Sequence, residues 1–189
     1  EAVPASLVRT ALGLRSTWLS IGVLRLDRPS GPLVFGSSVR LSGTSRGLAS
    51  PMLATSADGA VWAPAGPLVR EANGNVSFTV KPVRTTRYRI EVEGAVSSAL
   101  LVQVTPRLQL VRPAELGVLT GTVRPKLAAA AISIERKSGA SWVPVGQATV
   151  DDTGAFRVEL TLVPGSYRAR MSATDGLAAG VSPTLQVTG

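Results

Sequence analysis

From residue 22 onward, short runs rich in Val, Leu and Ile are broken every 8 to 12 residues by clusters of Gly, Pro, Ser and Asn. That spacing is typical of β-sandwiches and predicts an all-β chain. The alternation is clearest from Arg87 to Glu93, where Tyr88, Ile90 and Val92 share one face and Arg87, Arg89, Glu91 and Glu93 the other. A period of two with one apolar side is the mark of an antiparallel sheet with one wet face. Tyr167, Ala169 and Met171 repeat the inward set, with Arg168 and Arg170 outward. Outer-face Arg and Glu are expected to form cross-strand pairs, each contributing about 0.2–1 kcal/mol. Seven strands are predicted in each half, near 23–27, 37–43, 51–56, 60–63, 76–81, 87–93 and 98–105, then near 107–111, 117–123, 131–136, 141–145, 155–161, 166–172 and 182–188.

The halves repeat each other. Gly59-Ala60-Val61-Trp62-Ala63-Pro64 recurs as Gly139-Ala140-Ser141-Trp142-Val143-Pro144, 80 residues on, and Asn73-Gly74-Asn75-Val76-Ser77-Phe78 recurs as Thr153-Gly154-Ala155-Phe156-Arg157-Val158. Tyr88 meets Tyr167 after a one-residue slip, and Gln103-Val104-Thr105 meets Gln186-Val187-Thr188. A fixed order of glycines, aromatics and strand ends is the signature of a duplicated module. Residues 23–105 and 106–189 are therefore read as two small domains in tandem, joined through Pro106 without a Gly/Ser linker. So short and stiff a connection should restrict their relative angles.

Leu162-Val163-Pro164-Gly165-Ser166-Tyr167 resembles the tyrosine corner of fibronectin type III and immunoglobulin-like domains, and Arg84-Thr85-Thr86-Arg87-Tyr88 is a degenerate version lacking Pro-Gly. The resemblance implies two immunoglobulin-like antiparallel sandwiches, with the tyrosine hydroxyl bonded back to nearby backbone. Residues 1–22 stand outside the repeat. Leu7, Val8, Ala11 and Leu12 make a short helical stripe between Pro4 and Gly13, and 18–23 reads as a strand. The stretch from Leu7 to Trp18, with Arg9, Leu12-Gly13-Leu14 and Arg15-Ser16-Thr17, resembles the closing helix and strand of the catalytic domain in the SpoIID/LytB family, although Leu19 stands where Phe is commoner. That resemblance implies a secreted, cell-wall-associated actinobacterial protein whose upstream domain acts on peptidoglycan. The family's catalytic acid and histidine-rich stretch lie upstream of the matched segment, so no activity carries over.

Composition narrows the chemistry further. The chain has no histidine and no cysteine, which removes the usual general base, the reactive thiol and the common zinc ligands. No Ser-x-x-Lys occurs. Asp151-Asp152 before Thr-Gly reads as a turn rather than a calcium site. No enzyme, cofactor or metal is expected. The longest apolar runs, such as Leu127 to Ile132, are too short to cross a bilayer of ~30 Å. Residue 1 is Glu and no signal pattern opens the sequence, so a processed chain or a piece of a longer one is expected.

The net charge of +8 is carried mainly by arginine, with lysine only at 81, 126 and 137. Such a balance attracts anions. Dispersed arginines without interleaved aromatics argue against nucleic acid and leave a solvated basic surface or an anionic wall polymer. The candidate ligand-binding residues are Trp62, Trp142, Arg87, Arg89, Arg168 and Arg170. Duplicated tryptophans could stack on sugar rings of wall glycan, but a position kept at a constant distance from a turn fits framework better. Each should then fold over a sheet edge or core, and truncating it should cost about 3–5 kcal/mol. The expected role is a non-catalytic spacer or docking region that positions an upstream catalytic domain of the same protein.

Overall fold

The computed structural model describes residues 3–13, 15 and 22–188. The short helix α1 (Ala5–Ala11) begins after Pro4, and Gly13 follows it at φ 64°, as the N-terminal stripe predicts. The expected strand at 18–23 lies largely outside the described residues, Trp18 included; strand β1 opens at Val23.

The first sandwich is built from β1 (Val23–Leu26), β2 (Leu33–Val34), β3 (Val39–Arg46), β4 (Met52–Ser56), β5 (Ala63–Pro67), β6 (Val69–Arg70), β7 (Asn75–Val80), β8 (Thr86–Val92), β9 (Ala95–Val96), β10 (Leu100–Val102) and β11 (Val104–Thr105). One sheet runs β1-β3-β7-β6, the other β10-β8-β4-β5, with β9 also paired to β8. Strands that are neighbours in space but not in sequence make this a Greek key, and the first sheet has the ABED order of an immunoglobulin fold. The two-residue β2 pairs in parallel with β11, Leu33 opposite Val104.

The second sandwich contains β12 (Arg107–Val111), β13 (Val118–Arg124), β14 (Ala131–Ser138), β15 (Ser141–Thr149), β16 (Ala155–Glu159), β17 (Gly165–Met171), β18 (Gly180–Val181) and β19 (Leu185–Val187). Its sheets are β12-β13-β16 and β15-β14-β17-β18, with β19 also on β17. Alternation sets the inward faces: Leu108 and Leu110 on β12, Phe156 and Val158 on β16, Tyr167, Ala169 and Met171 on β17. Two separate cores result. One gathers Leu41, Leu53, Val76, Ile90 and Val102 around Tyr88; the other gathers Leu119, Val123, Ile132 and Ile134 around Tyr167. Burial of such apolar surface, at about 25 cal/mol per Å², is what stabilises modules with no cysteine to cross-link.

Two expectations need correction. The strand predicted at 60–63 lies mostly in a turn, because Asp58 gathers the N–H groups of Ala60 and Val61 on its carboxylate and delays β5 until Ala63. The predicted strand at 98–105 is divided at Gln103, because β10 pairs with β8 while β11 pairs with β2, the Leu33 N–H donating to the Gln103 carbonyl. Ahead of it, between β9 and β10, the buried Ser97 bonds Ile90 of β8 through both its N–H and its hydroxyl, and Ser182 does the same to Ala169 between β18 and β19.

The tyrosine corner forms as expected in the second sandwich. The Tyr167 hydroxyl donates to the Val163 carbonyl at 2.9 Å and accepts from the Val163 N–H at 3.2 Å. The turns at Asn73-Gly74 and Asp151 to Gly154 also form, with Gly74 at φ 83° and Gly154 at φ 82°.

Candidate functional site

The six candidate residues lie on the outer faces of the two larger sheets. Trp62 lies just before edge strand β5 and Trp142 within edge strand β15, at equivalent places, each following a turn whose glycine, Gly59 or Gly139, has positive φ. Neither ring is in a core, and both are half-buried. Each lies beneath an arginine of the adjacent strand pair: the Arg89 guanidinium stands 4.0 Å from the Trp62 ring centroid, and that of Arg168 stands 4.2 Å from Trp142. A guanidinium over an indole face is held by the ring quadrupole, and the stack occupies that face.

Each stacked arginine is also bound to a carboxylate, but from a different strand. Arg89 bonds Glu91, two residues along β8, at 2.6 Å. Arg168 bonds Glu135, directly opposite it on β14, at 2.7 Å. Ala54 faces Arg89 where Glu135 faces Arg168, so the acid has changed strands between the repeats. The expected cross-strand pairing holds in the second sandwich, while in the first the pair runs along one strand. Glu135 is only 5% exposed at its side chain and also draws Arg170, 3.5 Å away and 54% exposed. Arg87 is anchored to the Ala57 carbonyl at 3.2 Å and shares no ring. The structure thus brings together Trp62 with Arg89 and Trp142 with Arg168, joins Arg170 to Arg168 through Glu135, and leaves Arg87 of β8 bonded to the neighbouring turn.

A second duplicated arginine was not among the candidates. Arg46 Nε donates to the Asn73 carbonyl at 3.0 Å, and Arg124 Nη1 donates to the Thr153 carbonyl at 3.0 Å, so each braces the turn before the next sheet strand. Their signal is the hexapeptide Leu41-Ser42-Gly43-Thr44-Ser45-Arg46, which recurs as Leu119-Thr120-Gly121-Thr122-Val123-Arg124. The glycine at its centre is a matter of space. A Cβ on Gly43 would run into the Arg25 carbonyl of β1, and one on Gly121 into the Gln109 carbonyl of β12 and the Phe156 ring.

The carboxylates of the turns are occupied by their own backbone. Asp151 Oδ1 accepts from the Thr153 hydroxyl at 2.6 Å, the Thr153 N–H at 2.8 Å and the Ala155 N–H at 2.9 Å. These bonds, that of the Thr153 hydroxyl foremost, hold its pKa below the usual aspartate value. Asp58 is lowered in the same manner, chiefly by the Ala60 N–H. Among the described residues there is no group of three or more carboxylates placed to hold a metal ion. An open depression of about 550 Å³ on the second sandwich is floored by Gly121, Phe156 and Thr122, and its one cation, Arg157, is turned to Glu115 at 2.6 Å. No described helix is long and apolar enough to cross a membrane.

No protein-family model matches the chain, and no curated protein matches its sequence. Among solved structures, it is similar to a tetra-tandem repeat in the extending region of a large adhesion protein, at 15% identity over 89% of this chain and 49% of that one, with a TM-score of 0.34. The chain therefore spans about half the length of that repeat array. A chimeric titin tandem is similar at 17% identity, over 90% of this chain and 100% of the other, with a TM-score of 0.33. The BSP domain of a biofilm-associated protein is similar at 14% identity, over 86% and 29%, also with a TM-score of 0.33. The strand order and register described above define the fold.

Proposed function

We propose that this chain is a non-catalytic arm of a secreted, cell-wall-associated protein, which spaces a peptidoglycan-acting domain from the rest of its molecule. The observation that carries the reading is the commitment of the duplicated Trp and Arg side chains to each other. A tryptophan that binds sugar offers an open ring face, and here an arginine lies over each ring. A cation that binds a polyanion offers unpaired charge, and here Arg89 and Arg168 are already paired with Glu91 and Glu135. With no histidine or cysteine, the remaining groups suit architecture better than turnover. The wall assignment rests on the resemblance of the segment Leu7 to Trp18 to the end of a SpoIID/LytB catalytic domain, of which α1 (Ala5–Ala11) is the helical part. The test is incubation with purified sacculi and denuded glycan strands. No new reducing ends or muropeptides are expected, and release at enzyme-like turnover would overturn the reading.

One observation favours a second role beside the first. Arg170 has an exposed side chain and only a long contact to Glu135, on a chain of net charge +8. An anionic wall polymer held by such charges would bind weakly and leave as salt rises, since the Debye length shrinks to ~3 Å at 1 M. Pull-down with walls before and after teichoic-acid removal, across a salt series, measures this. Retention that ignores salt would point to the tryptophan faces and against the arm as a purely structural element.

A further inference from the structure

The two sandwiches differ most in the connection that follows β8 and β17. Ile90 and Ser97 are tied by the same pair of hydrogen bonds as Ala169 and Ser182, so these four residues are fixed points of the repeat. Seven positions separate the first pair and thirteen the second, so the second sandwich has six additional residues. In the first, Glu93-Gly94 alone closes the turn, Val92 pairing with Ala95. In the second, Met171 pairs with Gly180 and the eight residues Ser172 to Ala179 project between them. That projection is a miniature hairpin, with Thr174 and Leu177 exchanging both backbone bonds across Asp175-Gly176. Both central residues have positive φ, 50° and 75°, as an Asp-Gly hairpin turn requires.

The added hairpin touches the other sandwich. The Thr85 N–H donates to the Gly176 carbonyl at 2.7 Å, and the Ala178 N–H donates to the Val104 carbonyl at 2.8 Å. Val104 in turn donates its N–H to the Thr85 hydroxyl at 3.2 Å, so both contact points in the first sandwich are linked to each other. Val104 and Leu177 are 0% and 4% exposed, yet neither belongs to the core of its own sandwich. The ring of Pro106 packs so closely on Gly180 that a Cβ there would lie 2.8 Å from it.

The acceptor surface is equally particular. Counting back from the equivalent tyrosines Tyr88 and Tyr167, Thr85 stands where the second sandwich has Pro164. Proline has neither an N–H nor a hydroxyl, so the second sandwich's own corner cannot make the bond to Gly176 or the one from Val104. The loss of Pro-Gly from the first corner coincides with its use as a docking point.

We propose that Ser172 to Ala179 is an inter-module clamp, and that its partner is a preceding β-sandwich whose corner carries threonine in place of proline. Loop and corner form a matched pair with one direction: the first sandwich has the corner without the clamp, the second the clamp without the corner. The interface turns two modules joined by Pro106 into a single rigid unit. It holds whatever the arm carries, so its failure and that of the proposed function are read out separately.

The experiment is backbone NMR relaxation and amide exchange on the full chain. One tumbling time is expected for both sandwiches, with the Thr85 and Ala178 amides protected. Replacing Ser172–Ala179 by the dipeptide Glu-Gly is expected to leave core shifts of both modules in place, to give them separate tumbling times and to abolish protection at Thr85. A shortened chain that still tumbles as one body overturns the proposal. So does exchange of Thr85 and Ala178 at unprotected rates in the intact chain, a result that needs no variant to fold.

Discussion

Removing the guanidinium of Arg168 leaves the Glu135 carboxylate, 5% exposed, with only the distant contact to Arg170. A charge stranded in a dry site costs far more than an exposed pair contributes, about 3–5 kcal/mol when the burial is complete. Arg89 neutralises Glu91, which is 35% exposed and can turn to water, so the corresponding loss is about 0.2–1 kcal/mol. Arg168→Ala is therefore expected to cost about 2–3 kcal/mol in urea unfolding and Arg89→Ala less than about 1 kcal/mol, despite their equivalent places. Equal losses would mean that burial of the acid is not the deciding effect. The tryptophans fall between the two extremes. Because the rings are half-buried on an outer face, Trp142→Ala is expected to cost about 1–2 kcal/mol, below the 3–5 kcal/mol of a core aromatic. A double-mutant cycle of Trp142 and Arg168 should return a coupling of about 0.5–1 kcal/mol.

At the scale of the element, the turns and the strands β3 and β13 decide whether the sheets close. Gly43→Ala and Gly121→Ala force β1 off β3 and β12 off β13, because each added methyl meets a backbone carbonyl that cannot rotate away. Each is expected to lower stability by about 3 kcal/mol or more, read as a lower denaturation midpoint at unchanged slope. The turn aspartates set an acid limit. Asp58 and Asp151 have folded pKa values below the unfolded value of about 3.9, so their contribution is full above that pH and is lost as pH falls through the lowered folded values. Asp151→Asn should thus lower the melting temperature at pH 6, and the difference from the natural chain should close below about pH 4. A gap that persists at pH 2 would show that geometry rather than charge holds the turn. The turn at Asp151 was readable in advance, because aspartates before Thr-Gly favour that backbone. The strand at 60–63 was misplaced for the same kind of reason in reverse: a single aspartate side chain, Asp58, captures two backbone donors, and no apolar pattern reveals that.

Across the whole molecule, sequence periodicity carries the sandwich architecture, since burial on one face of every strand writes itself into alternate positions. Which outer-face groups meet is another matter. The stack of Arg89 on Trp62 joins residues 27 apart, and that of Arg168 on Trp142 joins residues 26 apart, and both depend on the register of β5 and β15 against their neighbours. The clamp was hidden for a different reason. Its residues have no repeat counterpart, so the likeness between the halves does not mark them. Tyr167 links the two levels. Tyr167→Phe deletes both hydroxyl bonds to Val163 and is expected to cost about 1–2 kcal/mol, detected as earlier unfolding of the second sandwich alone if the modules melt in separate transitions.

The migration of the acid from β8 to β14 also bears on how the chain avoids knotting its own copies together. Adjacent repeats of one ancestry are prone to exchange strands while folding, because each edge can accept its neighbour's. A hybrid pairing β4 with β17 would set Arg168 opposite Ala54 and bring Arg170 with it, two cations and no carboxylate. The reciprocal hybrid of β14 with β8 would crowd Glu135 and Glu91 around the single Arg89. Correct pairing gives each of these carboxylates an arginine of its own, while swapped pairing leaves two cations together or two acids sharing one arginine. Giving the first module the second's arrangement, by Ala54→Glu with Glu91→Arg, is expected to raise the fraction of intramolecularly misassembled chains after rapid dilution from urea, counted by single-molecule refolding.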